Sequence, residues 1–262
     1  MSKTCKTIAV MNQKGGVGKT TTTLHLGIGL AGRGYSVLLI DTDPQGNLAK
    51  ALGYEPDELQ TTIADIYGKI MQEEEVLPDE GILFSDEGVH ILPANLNLCP
   101  MEMTLMSAVS REYILKYYIS IVSDRYDYIL IDCPPSLGLL TLNNLTAADG
   151  VIITVEPENL SAVGMQQLFR SIGMVRKKLN KGLQIYGILF TKVDVRTNEH
   201  KNVMKEVKAA YENGIRIFDT YIPRNISIAE APGRGQSIYA YRVSSSGADA
   251  YLRFVEEMMS CS

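Results

Sequence analysis

Short apolar runs alternate along this chain with longer segments of helical period. Residues 7–11, 37–41, 128–132, 150–155 and 185–190 are near-continuous apolar runs of strand length, as expected of strands buried on both faces. Between them, residues 20–33, 162–179 and 199–211 carry apolar positions three and four apart, the mark of helices with one buried face. A further run, residues 215–222, reads as a last strand. Such repeated strand–helix units predict an α/β fold: a mostly parallel, twisted sheet with helices on both faces and a ligand at the strands' carboxyl ends. Residues 1–262 are expected to form a single domain. Residues 54–95 are its least regular part, with Glu73-Glu74-Glu75 and Asp79-Glu80, and predict an exposed helical insertion and a short strand pair.

The chemistry concentrates where apolar runs stop. Between the first strand and first helix lies Gln13-Lys14-Gly15-Gly16-Val17-Gly18-Lys19-Thr20-Thr21. A strand that ends in glycines and feeds a helix aims several backbone N–H groups, and the positive end of the helix dipole, at one spot. Gly15, Gly16 and Gly18 let the backbone approach a phosphate closely, Lys19 brings an ammonium to the terminal phosphates, and Thr20 offers a hydroxyl to Mg²⁺. The fit to the P-loop pattern departs at its first position, where Gln13 replaces glycine and a second lysine, Lys14, follows. The fold class is therefore P-loop NTPase-like. Two other strands end in aspartate: Val-Leu-Leu-Ile-Asp41 opens into Thr42-Asp43-Pro44-Gln45-Gly46-Asn47, and Tyr-Ile-Leu-Ile-Asp132 into Cys133-Pro134-Pro135-Ser136. The second is the pattern of a Walker B carboxylate, which holds Mg²⁺ through water. Asp41 would share a side of the strand end with Asp43 and assist that water shell; the competing reading of both is a turn-forming aspartate before Pro44.

Composition narrows the setting. A chain of 262 residues with 45% hydrophobic content can bury a large core. No window is long and apolar enough to span a membrane, and the first six residues are too polar for a signal peptide, so a cytoplasmic protein is expected. Cys5, Cys99, Cys133 and Cys261 lack metal or disulfide spacing. The net charge of −5 is unevenly spread: residues 1–169 balance at −11 and residues 170–262 at +6. The basic part suggests a polyanion partner, against the competing reading of a solvated helix face through Arg170, Arg176, Lys177, Lys178 and Lys181.

The loop Lys14–Thr21, the Asp41–Asn47 segment, Ile131-Asp132-Cys133-Pro134-Pro135-Ser136, and Ile222-Pro223-Arg224-Asn225 with Glu230-Ala231-Pro232 together resemble the ParA/Soj partition ATPases, deviant Walker A members of the ParA/MinD group. The resemblance runs in order from about residue 6 to about residue 253. It implies ATP and Mg²⁺ as cofactors and a slow, partner-stimulated ATPase. Lys14 would be the signature lysine that reaches the other subunit's phosphates in a nucleotide-sandwich homodimer. Asp43 would orient or activate the attacking water, and Pro223, Arg224 and Asn225 would lie beside the adenine. The dimer would bind DNA without sequence preference, on the nucleoid, and a ParB/Spo0J-like centromere-binding partner would stimulate hydrolysis and release it. Arg196 matches a family DNA-contact arginine. Lys201, Lys205 and Lys208 fall on one helix face and can track a phosphate backbone. Ser227 stands where the family often has a second contact arginine, leaving Arg224 or Arg234 to substitute.

Competing readings are a MinD-like positioning ATPase and an ATP-gated regulator with incidental turnover. Residues 246–262 carry an apolar stripe of Ala248, Tyr251, Leu252, Val255 and Met259. The polar face, Asp249, Glu256 and Glu257 against Arg253, has the wrong sign for anionic lipid, so no membrane partner is expected. An iron–sulfur relative would use Cys99 and Cys133, but Cys133 follows the Walker B Asp132 too soon; a small buried hydrophobe is its expected role. No helix-turn-helix is expected before residue 7.

Overall fold

The computed structural model describes residues 5–158 and 162–260; Cys261 lies outside them. Its strands are β1 (Lys6–Met11), β2 (Val37–Asp41), β3 (Leu83–Phe84), β4 (His90–Leu92), β5 (Tyr128–Asp132), β6 (Gly150–Val155) and β7 (Gln184–Phe190), joined in one sheet of order β3-β4-β2-β5-β1-β6-β7. All neighbours are parallel except β3 against β4. The helices are α1 (Lys19–Ala31), α2 (Asn47–Lys50), α3 (Ile63–Met71), α4 (Leu98–Leu105), α5 (Ile114–Val122), α6 (Leu139–Ala147), α7 (Ala162–Lys178), α8 (Asn198–Tyr211), α9 (Ile226–Glu230), α10 (Ile238–Tyr241) and α11 (Ser246–Met259).

The strands β2, β5 and β6 are buried at every position, so their apolar runs are explained by burial on both faces. One face packs under α3 to α8 and the other under α1, α2, α10 and α11, with separate cores on each side. Helix α1 meets α11 closely: a Cβ on Gly29 would stand 2.5 Å from Val255 Cγ2, a contact only glycine admits. From β1 the chain goes to β2 on one side and later to β6 on the other. The crevice outside the carboxyl end of β1 is thus the topological switch point, where open α/β sheets take ligands.

Three expectations change in detail. The insertion is exposed at residues 72–75 and 77–79, but its helix is not: α3 buries Ile63, Ala64, Ile66 and Tyr67, held by a capping box between Thr62 and Asp65. The strand pair is present as β3 and β4, and β4 extends the central sheet beside β2. Residues 215–222 do not form a strand. Only the isolated bridges Ile188–Ile217 and Val193–Pro223 occur, because Glu257 on α11 accepts the backbone N–H groups of Asp219 and Thr220 at 2.8 and 2.9 Å. The C-terminal stripe packs on α1, and its buried side is Ala248, Tyr251, Phe254, Val255 and Met258, with Leu252 and Met259 half-buried.

Candidate nucleotide site

At that switch point the loop after β1 turns through left-handed glycines, Gly16 at φ +75° and Gly18 at φ +80°, a geometry that favours glycine. Asn12 pins its start: its side-chain amide donates to Thr154 O at 2.6 Å, and its Oδ1 accepts the Lys14 N–H at 3.0 Å. Val17 is buried, and its carbonyl accepts the Thr191 hydroxyl at 2.8 Å. The loop is therefore fixed from β6 and from the end of β7.

Beside it opens a cavity of about 650 Å³. Gly15, Gly16, Gly18, Lys19, Thr20 and Thr21 line one end, Asp43 a second wall, and Pro223, Arg224 and Asn225 the far end. Residues to which sequence reasoning gave no role in the site complete it: Gln45, Asn47, Pro135, Thr191, Lys192, Ile222, Ile228, Ala229, Pro232 and Tyr251. Asn225 holds the far wall by capping α9, its Oδ1 accepting the Ser227 N–H at 2.8 Å.

The two loop lysines differ. Lys19 is buried, and its ammonium donates to Lys14 O at 3.2 Å. Burial lowers its pKa, and the Asp132 charge opposes that shift. Lys14 is exposed at the rim, within 3.4 Å of Glu158 O.

The three aspartates also differ. Asp41 and Asp132 sit side by side in register on β2 and β5, both fully buried. Asp41 accepts the Asp43 N–H at 2.9 Å and the Leu48 N–H at 3.1 Å, so it shapes the turn that carries Asp43. Burial and then the Asp132 charge hold the Asp41 carboxyl well above its usual range. Neither oxygen of Asp132 has a hydrogen-bond partner among the described residues. Burial pushes its carboxyl up to about 7, although the Thr20 hydroxyl and Lys19 ammonium stand near enough to favour its charge. Asp43 is half-buried, and its Oδ1 accepts the Gln45 N–H at 3.1 Å.

Of the residues expected to face DNA, Arg196 and the lysines of α8 follow β7 and lie outside the cavity lining, whereas Arg224 lines the cavity itself. Lys201, Lys205 and Lys208 are exposed on α8, opposite its buried His200 and Val207. Arg196 is 87% exposed but forks onto Asp194 at 2.9 and 2.7 Å, and this pairing holds Asp194 well below the usual carboxylate range. Arg224 lies 3.6 Å from Glu158. Ser227 is buried, so a long cation there would not reach the surface without moving α9. Cys133 is buried beside Asn144 Nδ2 at 3.3 Å, and burial pushes its thiol up to about 12, far from the thiolate a metal needs. Cys99 is exposed. Among the described residues, no helix is long and apolar enough to cross a membrane.

Comparison with known proteins agrees with this geometry. Residues 5–185 match the AAA domain family model. The chain is 43% identical to the sporulation initiation inhibitor protein Soj of Bacillus subtilis, covering 97% of this chain and 98% of that one. It is 39% identical to the chromosome partitioning protein ParA of Caulobacter vibrioides, over 97% and 94%. Among solved structures, the cobyrinic acid a,c-diamide synthase from Mycobacterium smegmatis with bound ADP and magnesium has a TM-score of 0.83 at 36% identity, over 96% of this chain and 93% of that one. The chain belongs to the ParA/Soj family of P-loop ATPases.

Proposed function

We propose that this chain is a DNA-segregation ATPase that alternates between a free state and an ATP-closed dimer on DNA. The observation that carries the reading is the division between the two loop lysines: Lys19 buried on the cavity floor, Lys14 exposed at its rim. A floor lysine serves the phosphates of its own subunit. An exposed lysine, here donating to Glu158 O at 3.4 Å, can swing into a neighbour's site, where it neutralises charge building on the phosphate oxygens.

ATP would lie with its phosphates on residues 15–21 and its base against Pro223, Arg224 and Asn225. The Thr20 hydroxyl and the two unpartnered, buried oxygens of Asp132 form an oxygen donor set that fits Mg²⁺ through its water shell. When bound, the ion supplies charge neutralisation at the phosphates. Asp132 has no protein donor to lose in doing so. Asp43 stands on the cavity wall and orients the attacking water, while Asp41 keeps that turn in place.

Closing two chains through Lys14 brings two basic faces to one DNA, so phosphate contacts from Arg196, Lys201, Lys205, Lys208 and Arg224 sum. Hydrolysis, stimulated by a ParB-like partner, separates the faces and lowers that summed affinity. A membrane-positioning role is disfavoured because the apolar side of α11 is consumed by packing on α1.

The test is sedimentation of Lys14→Ala with ATP. The variant is expected to bind ADP within about threefold of wild type, the surroundings of Lys19 being unchanged, yet to stay monomeric where the wild type dimerises. A variant that dimerises normally with ATP contradicts the role given to Lys14.

A further inference from the structure

Lys192 follows β7 with φ +52°, in the left-handed region that side chains other than glycine rarely adopt. Two other non-glycine residues among those described share this feature, Glu73 and Ser110, and both lie in exposed turns. Lys192 is held there by its neighbours. The Thr191 N–H donates to Val155 O at 2.9 Å, the Thr191 hydroxyl to Val17 O at 2.8 Å, and the Val193 N–H to Ile222 O at 2.9 Å. An unfavourable backbone fixed from both sides is a place to look for function.

Its side chain lines the cavity together with the loop glycines, Ile222 and Pro223, and the next residue, Val193, bridges Pro223. The ammonium lies 4.0 Å from where a Cβ on Gly16 would stand, and 3.9 Å from the buried Glu156 Oε2. A cation thus sits on the edge of the phosphate loop with a carboxylate to hold it. The geometry points to Lys192 as a nucleotide-binding residue, a second cation acting within its own subunit on the phosphate chain. This rests on the reading of the cavity as an ATP site. Lys19 serves the loop end of that chain from the floor. Lys192 stands on the side toward the base wall and serves the phosphates nearest the sugar, which ADP and ATP share. Glu156 is its positioning residue.

The experiment measures ADP and ATP affinities of wild type, Lys192→Met, Lys192→Gly and Lys192→Arg over a salt series, with thermal melting of each. The methionine and glycine variants are expected to weaken ADP and ATP equally, by roughly tenfold at low salt, with the loss shrinking as salt rises. The arginine variant keeps most of the affinity. Lys192→Gly separates charge from backbone: it relieves the left-handed conformation, so it should melt no lower than wild type and still lose affinity. Unchanged ADP affinity in Lys192→Met overturns the inference. So does a loss confined to ATP, which would assign Lys192 to dimer closure. A wild type that binds no ADP overturns the reading of the cavity itself.

Discussion

The phosphate loop and the outer face of α8 are both built from lysines, yet they work by opposite physics. Lys19 is buried, and its loop is fixed by hydrogen bonds from Asn12 and Thr191 to elements distant in sequence. Each atom there has one place, and a ligand's charge is met by a cation that is itself buried. Lys201, Lys205 and Lys208 are exposed along one helix, and Arg196 is held, among the described residues, by Asp194, two residues away. Charges of that kind are screened, each contributes little, and their worth lies in number. A buried site is therefore sensitive to one substitution, whereas an exposed face that binds a polymer, as proposed, would depend on how many copies of it meet that polymer.

Lys19→Ala should produce the largest effect. Removing a charge-assisted hydrogen bond from the closed site should weaken ADP binding by roughly 100-fold, about 2.7 kcal/mol. Burial lowers the Lys19 pKa, so its charge is held at a cost, and the ligand-free variant should not melt lower than wild type. Calorimetric titration and thermal melting check both halves. A loss below about threefold would place the cation elsewhere.

The next effect concerns Asp132. Its folded pKa, about 7, lies above the ordinary 3.8. The stability this group contributes is therefore full below about pH 4 and is lost as pH rises toward about 7, by up to ~1.4 kcal/mol per pH unit. Asp132→Asn copies the protonated form. In urea denaturation of ligand-free protein, the variant should gain on wild type steadily from about pH 5 to about pH 7. Parallel curves at every pH would show that Asp132 is not neutral in the free state.

The smallest effects belong to the exposed face. Replacing Lys201, Lys205 and Lys208 together by alanine should flatten the dependence of log affinity for DNA on log salt by about 0.9 for each phosphate that is no longer neutralised. Arg196→Ala alone should cost only a few-fold in DNA affinity, because Asp194 already neutralises part of its charge. Fluorescence anisotropy over a salt series measures both. An Arg196 effect larger than that of the three lysines would reverse the order and make Arg196 a specific anchor.

The same contrast explains what could be read from the sequence. Runs such as residues 37–41 and 128–132 announced themselves because a strand buried on both faces must be apolar throughout, and the phosphate loop did so because its chemistry is contiguous. Pairings made across the fold were hidden. The apolar run 215–222 looked like a strand; its Phe218 and Ile222 N–H groups do reach β7, but Glu257 on another helix takes those of Asp219 and Thr220. Asp41 could be read as an aid to the metal's water shell or as a turn former, and only the fold shows that its oxygens accept the Asp43 and Leu48 N–H groups, as a turn former's do. Thr191 and Lys192 carried no local signal, since neither the bond to Val17 nor the left-handed turn can be seen in residue types. The basic face was legible as spacing on a helix, but the clamp on Arg196 was not.

The proposed cycle requires that nucleotide state decide whether the exposed face sums. Its most direct test is binding to two DNAs of unrelated sequence with ATP, ADP or no nucleotide. Binding with ATP alone, equal on both DNAs and falling steeply with salt, is the expected result. Binding that ignores nucleotide, or a dimer that forms with ATP and leaves both DNAs free, would contradict it.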